Sequence, residues 1–213
     1  MLKYLIWDWN GTLLDDVHLN LRILNQLRQQ EGLPALSLDE YRSAFGFPIR
    51  DFYARIGFDF AKTAYETLAE RYWALYEQGV KTCRLANGAL ETLAALPCKH
   101  IILSASPLPA LRAQTAQFPE LEPYITRILG TDNTLGASKT ALAEGLRAEH
   151  LCDPSEMLVV GDTDHDSATA AVLGCPFMAY AGGHQHNNGI TKLTDLLPKF
   201  KETEGFYLLE PSP

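Results

Sequence analysis

Short apolar runs that stop at polar or acidic residues recur along the chain, and they restrict the fold more than any other feature. Leu2 to Trp7 (LKYLIW) is almost continuously apolar and ends at Asp8. His100 to Leu103 (HIIL), Ile125 to Leu129 (ITRIL), Met157 to Val160 (MLVV) and Pro176 to Tyr180 (PFMAY) repeat the pattern. Runs of this length without polar alternation are how strands buried on both faces read, as in parallel sheets. Helical patterns lie between them. Asn87 is expected to cap the run GALETLAAL, which Pro97 stops, and Ser138 to His150 and Ser167 to Leu173 follow, the latter ending at Gly174. Strands alternating with helices predict an α/β fold: a Rossmann-like parallel sheet with right-handed crossovers.

Residues 16–82 break that rhythm. Val17, Leu21, Leu24 and Leu27 recur at helical spacing, and Gly32-Leu33-Pro34 ends the helix. Ser37-x-x-Glu40 reads as a capping box that opens a second helix. Pro48 to Ile56 and Phe60 to Tyr76 supply further helical stretches. This is too much helix for one crossover, so the segment reads as an inserted helical domain. Residues 1–15 and 83–213 then form the α/β core, with 16–82 as the insert. A length of 213 residues suits one domain plus a small insert.

The 18 Lys and Arg against 26 Asp and Glu give a net charge of −8, which disfavours a nucleic-acid partner because phosphate binding needs a basic face. No apolar stretch is long enough to span a membrane, so no membrane partner is expected. Four cysteines, at 83, 98, 152 and 175, form no C-x-x-C pair, and no leader-like segment precedes them. A reduced, cytoplasmic setting and a monomer or weak homodimer are the expectation.

Ligands of open parallel sheets bind beyond the carboxyl ends of the strands. After the first run come Asp8-Trp9-Asn10-Gly11-Thr12, after the second Ser104, and after the fourth Gly161-Asp162-Thr163-Asp164-His165-Asp166. Lys139 opens the helix before the fourth run. Carboxylates, a hydroxyl and a lysine gathered at one sheet edge suit a hard divalent cation and a phosphoryl group. One of the carboxylates would serve as a nucleophile.

These stretches resemble the haloacid dehalogenase-like hydrolases, and within them the phosphoglycolate-phosphatase-like branch. WDWNGTLLDD corresponds to D-x-D-G-T, VVGDTDHDSATAAVLG to G-D-x-x-x-D, and Ser104 and Lys139 fall in order between them; FGFPIRDFYARIG and LANGALETLAAL are similar too. The resemblance implies Mg²⁺-dependent hydrolysis of a small phosphorylated metabolite through an aspartyl-phosphate on Asp8. It implies that Asp8, the Asn10 carbonyl and Asp162 hold the metal with support from Asp166. Ser104 and Lys139 would grip the phosphate, with Gly11, Thr12 and Ala105 beside it. The helical insert would be a cap over the site, with Arg50 as the cap residue that reaches the substrate.

One position departs from the pattern: the second aspartate of D-x-D is Asn10. The resemblance implies that an aspartate there would protonate the leaving oxygen and then activate water, which an amide cannot do, and such help is worth about 10²- to 10⁴-fold. Four readings follow. The enzyme uses another acid, His165 or Asp16; or its substrate has a good leaving group, such as an acyl phosphate or anhydride; or the protein binds phosphate without catalysis; or the Asn10-Gly11 pair deamidates. The intact remainder of the site ranks the first two above the silent alternative.

Other residues have plainer expectations. Asp15 and Asp16 mark the exit into the insert, and His184 and His186 sit in a polar loop, AGGHQHNNG. Trp7 and Trp9 read as packing, as do Phe45, Phe47, Phe52 and Tyr53 within the insert. The C-terminal FYLLEPSP is expected to add an edge strand or to stay loose.

Overall fold

The computed structural model describes residues 2–132, 139–185, 188–203 and 206–209. Strand β1 (Tyr4–Trp7) opens it, and a two-residue strand β2 (Leu14–Asp15) leads into four helices. These are α1 (Val17–Gln30), α2 (Leu38–Ala44), α3 (Ile49–Arg55) and α4 (Tyr65–Gly79). Strand β3 (Arg84–Leu85) then pairs antiparallel with β2, placing Leu14 opposite Leu85 and Asp15 opposite Arg84. Both ends of the helical segment are thereby held side by side. Two-residue strands carry no periodic signal, which is why this ribbon is invisible in the sequence.

Helices and strands then alternate. They are α5 (Ala89–Ala95), β4 (Lys99–Pro107), α6 (Leu108–Thr115), β5 (Ile125–Thr131), α7 (Lys139–Ala148), β6 (Met157–Gly161), α8 (Asp164–Leu173) and β7 (Phe177–Ala179). Five strands form one parallel sheet in the order β5-β4-β1-β6-β7. The register sets Trp7 between Ile102 and Val160. The chain builds outward from β1 on one side and then crosses to β6 on the other, so strand order reverses beside β1. A crevice outside the carboxyl ends of β1 and β6 follows from that topology.

The two sheet faces divide the core by strand periodicity. Ile6, Ile101, Leu103 and Val159 pack with Ala143 and Leu146 of α7 and with Ala170 and Leu173 of α8. Leu5, Trp7, Ile102 and Val160 face the other way, in a cluster that continues through Leu93 and Leu111 to Leu24, Leu27 and Leu68 of the helical segment. Burying each such side chain is worth about 1.5–3 kcal/mol, so the segment is held to the sheet by shared apolar surface as well as by its two connections.

Local sequence signals explain most element ends. Ser37 accepts a hydrogen bond from the Glu40 N–H while the Glu40 carboxylate accepts from the Ser37 N–H, which is the anticipated capping box. At α5 the expectation fails by one residue. Gly88, not Asn87, occupies the cap position, with φ +82°, a left-handed conformation that glycine adopts without steric cost. The C-terminal residues behave differently from either expectation: β9 (Phe206–Leu209) pairs antiparallel with β8 (Phe200–Thr203) in a separate hairpin. Residues 210–213, Ser138 and His186 lie outside the described residues.

Candidate active site

The end of β1 delivers Asp8, whose N–H is bound by the Val160 carbonyl at 2.9 Å, so the site is anchored to the neighbouring strand at its first residue. The end of β6 delivers Asp162, and the first turn of α8 delivers Asp166. The carboxylates of Asp8, Asp162 and Asp166 are all buried, with oxygens within 4.8 Å of one another. Lys139, the first residue of α7, is buried too and contacts both Asp8 and Asp166 through its ammonium group. Asp166 is held by the Thr163 N–H at 3.0 Å and the Thr163 hydroxyl at 2.7 Å, a capping box that starts α8 and aims the carboxylate inward.

Charge and burial explain the electrostatics. Burial, then the Asp166 charge, pushes the Asp8 carboxyl well above the ordinary carboxylate range against the opposing pull of Lys139. Burial also raises Asp162. For Lys139 burial acts downward, but Asp166 and Asp8 outweigh it, so the ammonium is held. Three carboxylates and one ammonium leave a net charge of −2. An all-oxygen donor set of that charge fits one hard divalent cation.

Asn10 is held on three sides. Its amide nitrogen donates to Asp16 at 3.0 Å and to the Tyr76 hydroxyl at 2.7 Å, and its oxygen accepts from the Ser106 hydroxyl at 2.9 Å. The Gly11 N–H donates to Asp16 at 2.8 Å, which occupies the nitrogen that would have to attack Asn10 for deamidation. Asp16 is the hub of this network and marks far more than a chain exit. Besides Asn10 and Gly11 it accepts from Tyr76 at 2.7 Å and Asn20 at 3.1 Å, and it lies 3.3 Å from His184 Nε2. Burial pushes the Asp16 carboxyl up, but His184, Tyr76 and Asn10 outweigh it and hold it below its ordinary value.

His184 is likewise no loose loop residue. It is buried, its N–H donates to Asp162 at 2.5 Å, and its Nδ1 lies 2.7 Å from the Tyr41 hydroxyl. Burial lowers its imidazolium value, but Asp16 and Asp162 raise it by more. Contacts of this kind cross from 22 to 168 positions in sequence, and no local pattern signals them. His165 is stacked on Phe47 at 4.3 Å, and its Nδ1 is buried without a hydrogen-bond partner.

The remaining expected residues fall as follows. Ser104 is buried where β4 and β5 lose register, and its hydroxyl accepts from the Ser106 N–H at 3.1 Å. Ser104 and Ala105 line a cavity of about 490 Å³ that runs from Asp8 into the helical segment. Arg50 lines it as well, is exposed, and lies over the Phe60 ring at 5.4 Å. Gly11 and Thr12 sit behind that wall. The Thr12 hydroxyl donates to Asp162 at 2.9 Å, and Gly11 takes φ +79° so that the loop can pass under Asp162 and His184. Trp7 and Trp9 are fully buried, as expected of packing residues. Phe45, Phe47, Phe52 and Tyr53 do more than pack, because all four also line the cavity. The helical segment is seated on the sheet loops by Arg42, which donates to the carbonyls of Gly183 at 2.9 Å and Gly182 at 3.0 Å.

Comparison with known proteins agrees with this architecture. A phosphoglycolate phosphatase of Rhodobacter capsulatus is 26% identical over 192 residues, covering 87% of each chain. A solved haloacid dehalogenase-like family hydrolase of Streptococcus pneumoniae superposes with a TM-score of 0.76 at 16% identity, covering 92% of this chain and 97% of its own. A conserved haloacid dehalogenase-like protein of Agrobacterium tumefaciens gives 0.73 at 20% identity, covering 92% and 90%. At such identities the two structures speak to the fold alone. Among the described residues, no helix is long and apolar enough to cross a membrane. The family model described as haloacid dehalogenase-like hydrolase matches residues 5–180, and the chain belongs to that family.

Proposed function

We propose that the chain is a Mg²⁺-dependent phosphatase in which Asp8 takes the phosphoryl group from a small phosphorylated substrate. The observation that carries this is the convergence of Asp8, Asp162, Asp166 and Lys139 at the reversal of strand order, where Asp8 and Lys139 line a cavity that runs into the helical segment. The named relative, a phosphoglycolate phosphatase, points the same way. Asp8, Asp162, Asp166 and the Asn10 main-chain carbonyl would hold Mg²⁺, which supplies positive charge to the transferring phosphoryl oxygens. Lys139 and Ser104 bind those oxygens, and Ala105 flanks them. Gly11 and Thr12 shape the loop that follows Asp8, and the Thr12 hydroxyl braces Asp162. The helical segment 16–82 serves as a cap that excludes water, and Arg50 meets the substrate at its edge.

Neither acid that the sequence offers, His165 or Asp16, supplies the missing proton: burial and then the Lys139 charge push the His165 imidazolium below its ordinary value. Asp16 already accepts from five donors on its two oxygens, so it stands there as a carboxylate. Asn10 is fixed as a spacer between Asp16 and Ser106 and offers none. The leaving oxygen therefore departs with little protonation, and turnover is limited to esters and anhydrides that tolerate this.

The test is phosphate release from acetyl phosphate and p-nitrophenyl phosphate with Mg²⁺, for the native chain, Asp8→Asn and Asn10→Asp. The native chain should release phosphate and Asp8→Asn should not. Release by Asn10→Asp alone would favour the silent, phosphate-binding reading, and equal release by Asp8→Asn would remove the nucleophile assignment.

A further inference from the structure

The cavity above Asp8 has a wall that a two-carbon phosphate ester does not need. At about 490 Å³ it falls among cavities that house ligands of drug size. Among the described residues, nine aromatic side chains of the helical segment line it, among them Phe45, Phe47, Phe52, Tyr53 and Trp73. The hydroxyls closest to the site are committed elsewhere: Tyr76 to Asp16, Tyr41 to His184 and Tyr72 to Asn20. What these residues offer a ligand is ring surface. Of the lining residues that the segment contributes, Arg50 alone is cationic, and its guanidinium already rests on Phe60. A carboxylate-bearing substrate would thus find one cationic partner in a segment wall made mostly of aromatic rings.

A second, independent observation concerns the leaving group. With an amide at position 10, the bond from phosphorus to the organic oxygen must break without a strong proton donor. An aryl oxide tolerates that. Its conjugate acid has a pKa of about 10, as in tyrosine, whereas an alcohol-like oxygen lies near the value of about 15.7 for water. Wall and leaving group ask for the same chemistry.

We infer that the organic part of the substrate is aromatic and is joined to phosphate through the ring oxygen, an aryl phosphate, seated against the aromatic side chains of the helical segment that line the cavity, Phe45, Phe47, Phe52 and Trp73 among them. This rests on the phosphatase reading above. In the first step an Asp8 carboxylate oxygen bonds to phosphorus as the bond to the aryl oxygen breaks. The electron pair leaves on the aryl oxide, which takes a proton from water. A second water then cleaves the aspartyl-phosphate, returning the Asp8 carboxylate and releasing inorganic phosphate.

The experiment compares kcat/KM for 1-naphthyl phosphate, phenyl phosphate, 2-phosphoglycolate and glycerol phosphate with Mg²⁺, in the native chain, Trp73→Ala and Asn10→Asp. A parallel arm measures binding of benzylphosphonate and methylphosphonate, which cannot turn over, by calorimetry. Naphthyl phosphate should exceed phosphoglycolate by about 10²-fold or more, since each apolar group in a fitted pocket discriminates by 10- to 200-fold. Trp73→Ala should shrink that ratio. Asn10→Asp should flatten the dependence on leaving-group acidity, an effect that a purely structural role for Asn10 would not produce. Benzylphosphonate should bind more tightly than methylphosphonate. Phosphoglycolate turnover equal to or above that of naphthyl phosphate overturns the inference and leaves the phosphatase reading standing. No release from any ester by the native chain or by Asn10→Asp defeats the phosphatase reading instead, and equal binding of the two phosphonates then removes the aromatic preference as well.

Discussion

Replacing Asp8 by Asn should abolish turnover and yet stabilise the metal-free protein. The carboxylates of Asp8, Asp162 and Asp166 lie within 4.8 Å of one another. At an effective dielectric of about 20, each like-charged pair at that separation costs about 3.5 kcal/mol, so the two pairs that include Asp8 cost about 7 kcal/mol. The Lys139 contact, at hydrogen-bond range, returns about 6 kcal/mol on the same scale. The balance is slightly repulsive before the cost of burying the charge, which adds to it. The asparagine keeps the shape, removes both repulsions and leaves Lys139 paired with Asp166. A gain of about 1–3 kcal/mol is expected, or roughly 3–10 °C in Tm for a chain of this size.

The pH dependence has a definite sign. Burial, then Asp166, raises the folded-state value of Asp8 above its ordinary 3.8. The native chain therefore loses stability as pH climbs through that higher value, and the variant's advantage should shrink as pH falls toward the ordinary carboxylate range. The assay is thermal unfolding in EDTA and then in saturating Mg²⁺. Mg²⁺ should raise the native chain more than the variant, because the ligand set is complete only there. A lower Tm for Asp8→Asn in EDTA would refute the reasoning. It would mean that Lys139 outweighs the acidic cluster, so that the site has no excess negative charge to offer a cation.

Three further outcomes are expected. Asp162→Ala should weaken Mg²⁺ at least about tenfold in a calorimetric titration, since charged ligand groups dominate such sites, and an unchanged midpoint would discard the ligand role. Folding raises His184 above its usual 6.5 because Asp16 and Asp162 outweigh burial. The pair's stabilisation is therefore complete below about 6.5 and fades as pH rises through the folded value. His184→Gln should flatten that decline in urea unfolding curves between pH 6 and 9, and an identical slope would exclude His184 as its source. Gly11→Ala would set a Cβ 2.5 Å from both Asp162 Oδ2 and His184 Cδ2 at a φ of +79°. It should cost about 2 kcal/mol or more, and a loss under about 0.5 kcal/mol would show that the loop yields freely.

Local signals carried the sequence reading a long way. Apolar runs marked β1, β4 and β6 because strands buried on both faces leave few polar positions to confuse. The Ser37 capping box was legible because its partners are three residues apart. Asp8, Asp162 and Asp166 stood out because each follows a strand, where parallel sheets expose their binding edge. Tertiary structure alone decided the rest. It revealed the β2–β3 ribbon, moved the α5 cap to Gly88, and made Asp16 and His184 the centre of a buried network.

The Phe45–Tyr53 stretch shows the difference most plainly. Its aromatic content was visible as packing, but whether those rings close on each other or leave a chamber depends on how α1 to α4 meet the sheet. Residue order along the chain determined the strand class, the acidic edge and the amide at position 10. The chamber above Asp8, and the hydrogen bonds that tie Asn10 to Asp16, Tyr76 and Ser106, join residues six to 96 positions apart. Such contacts exist only once the chain has folded, because a side chain's partners across space are set by packing and not by its neighbours in sequence.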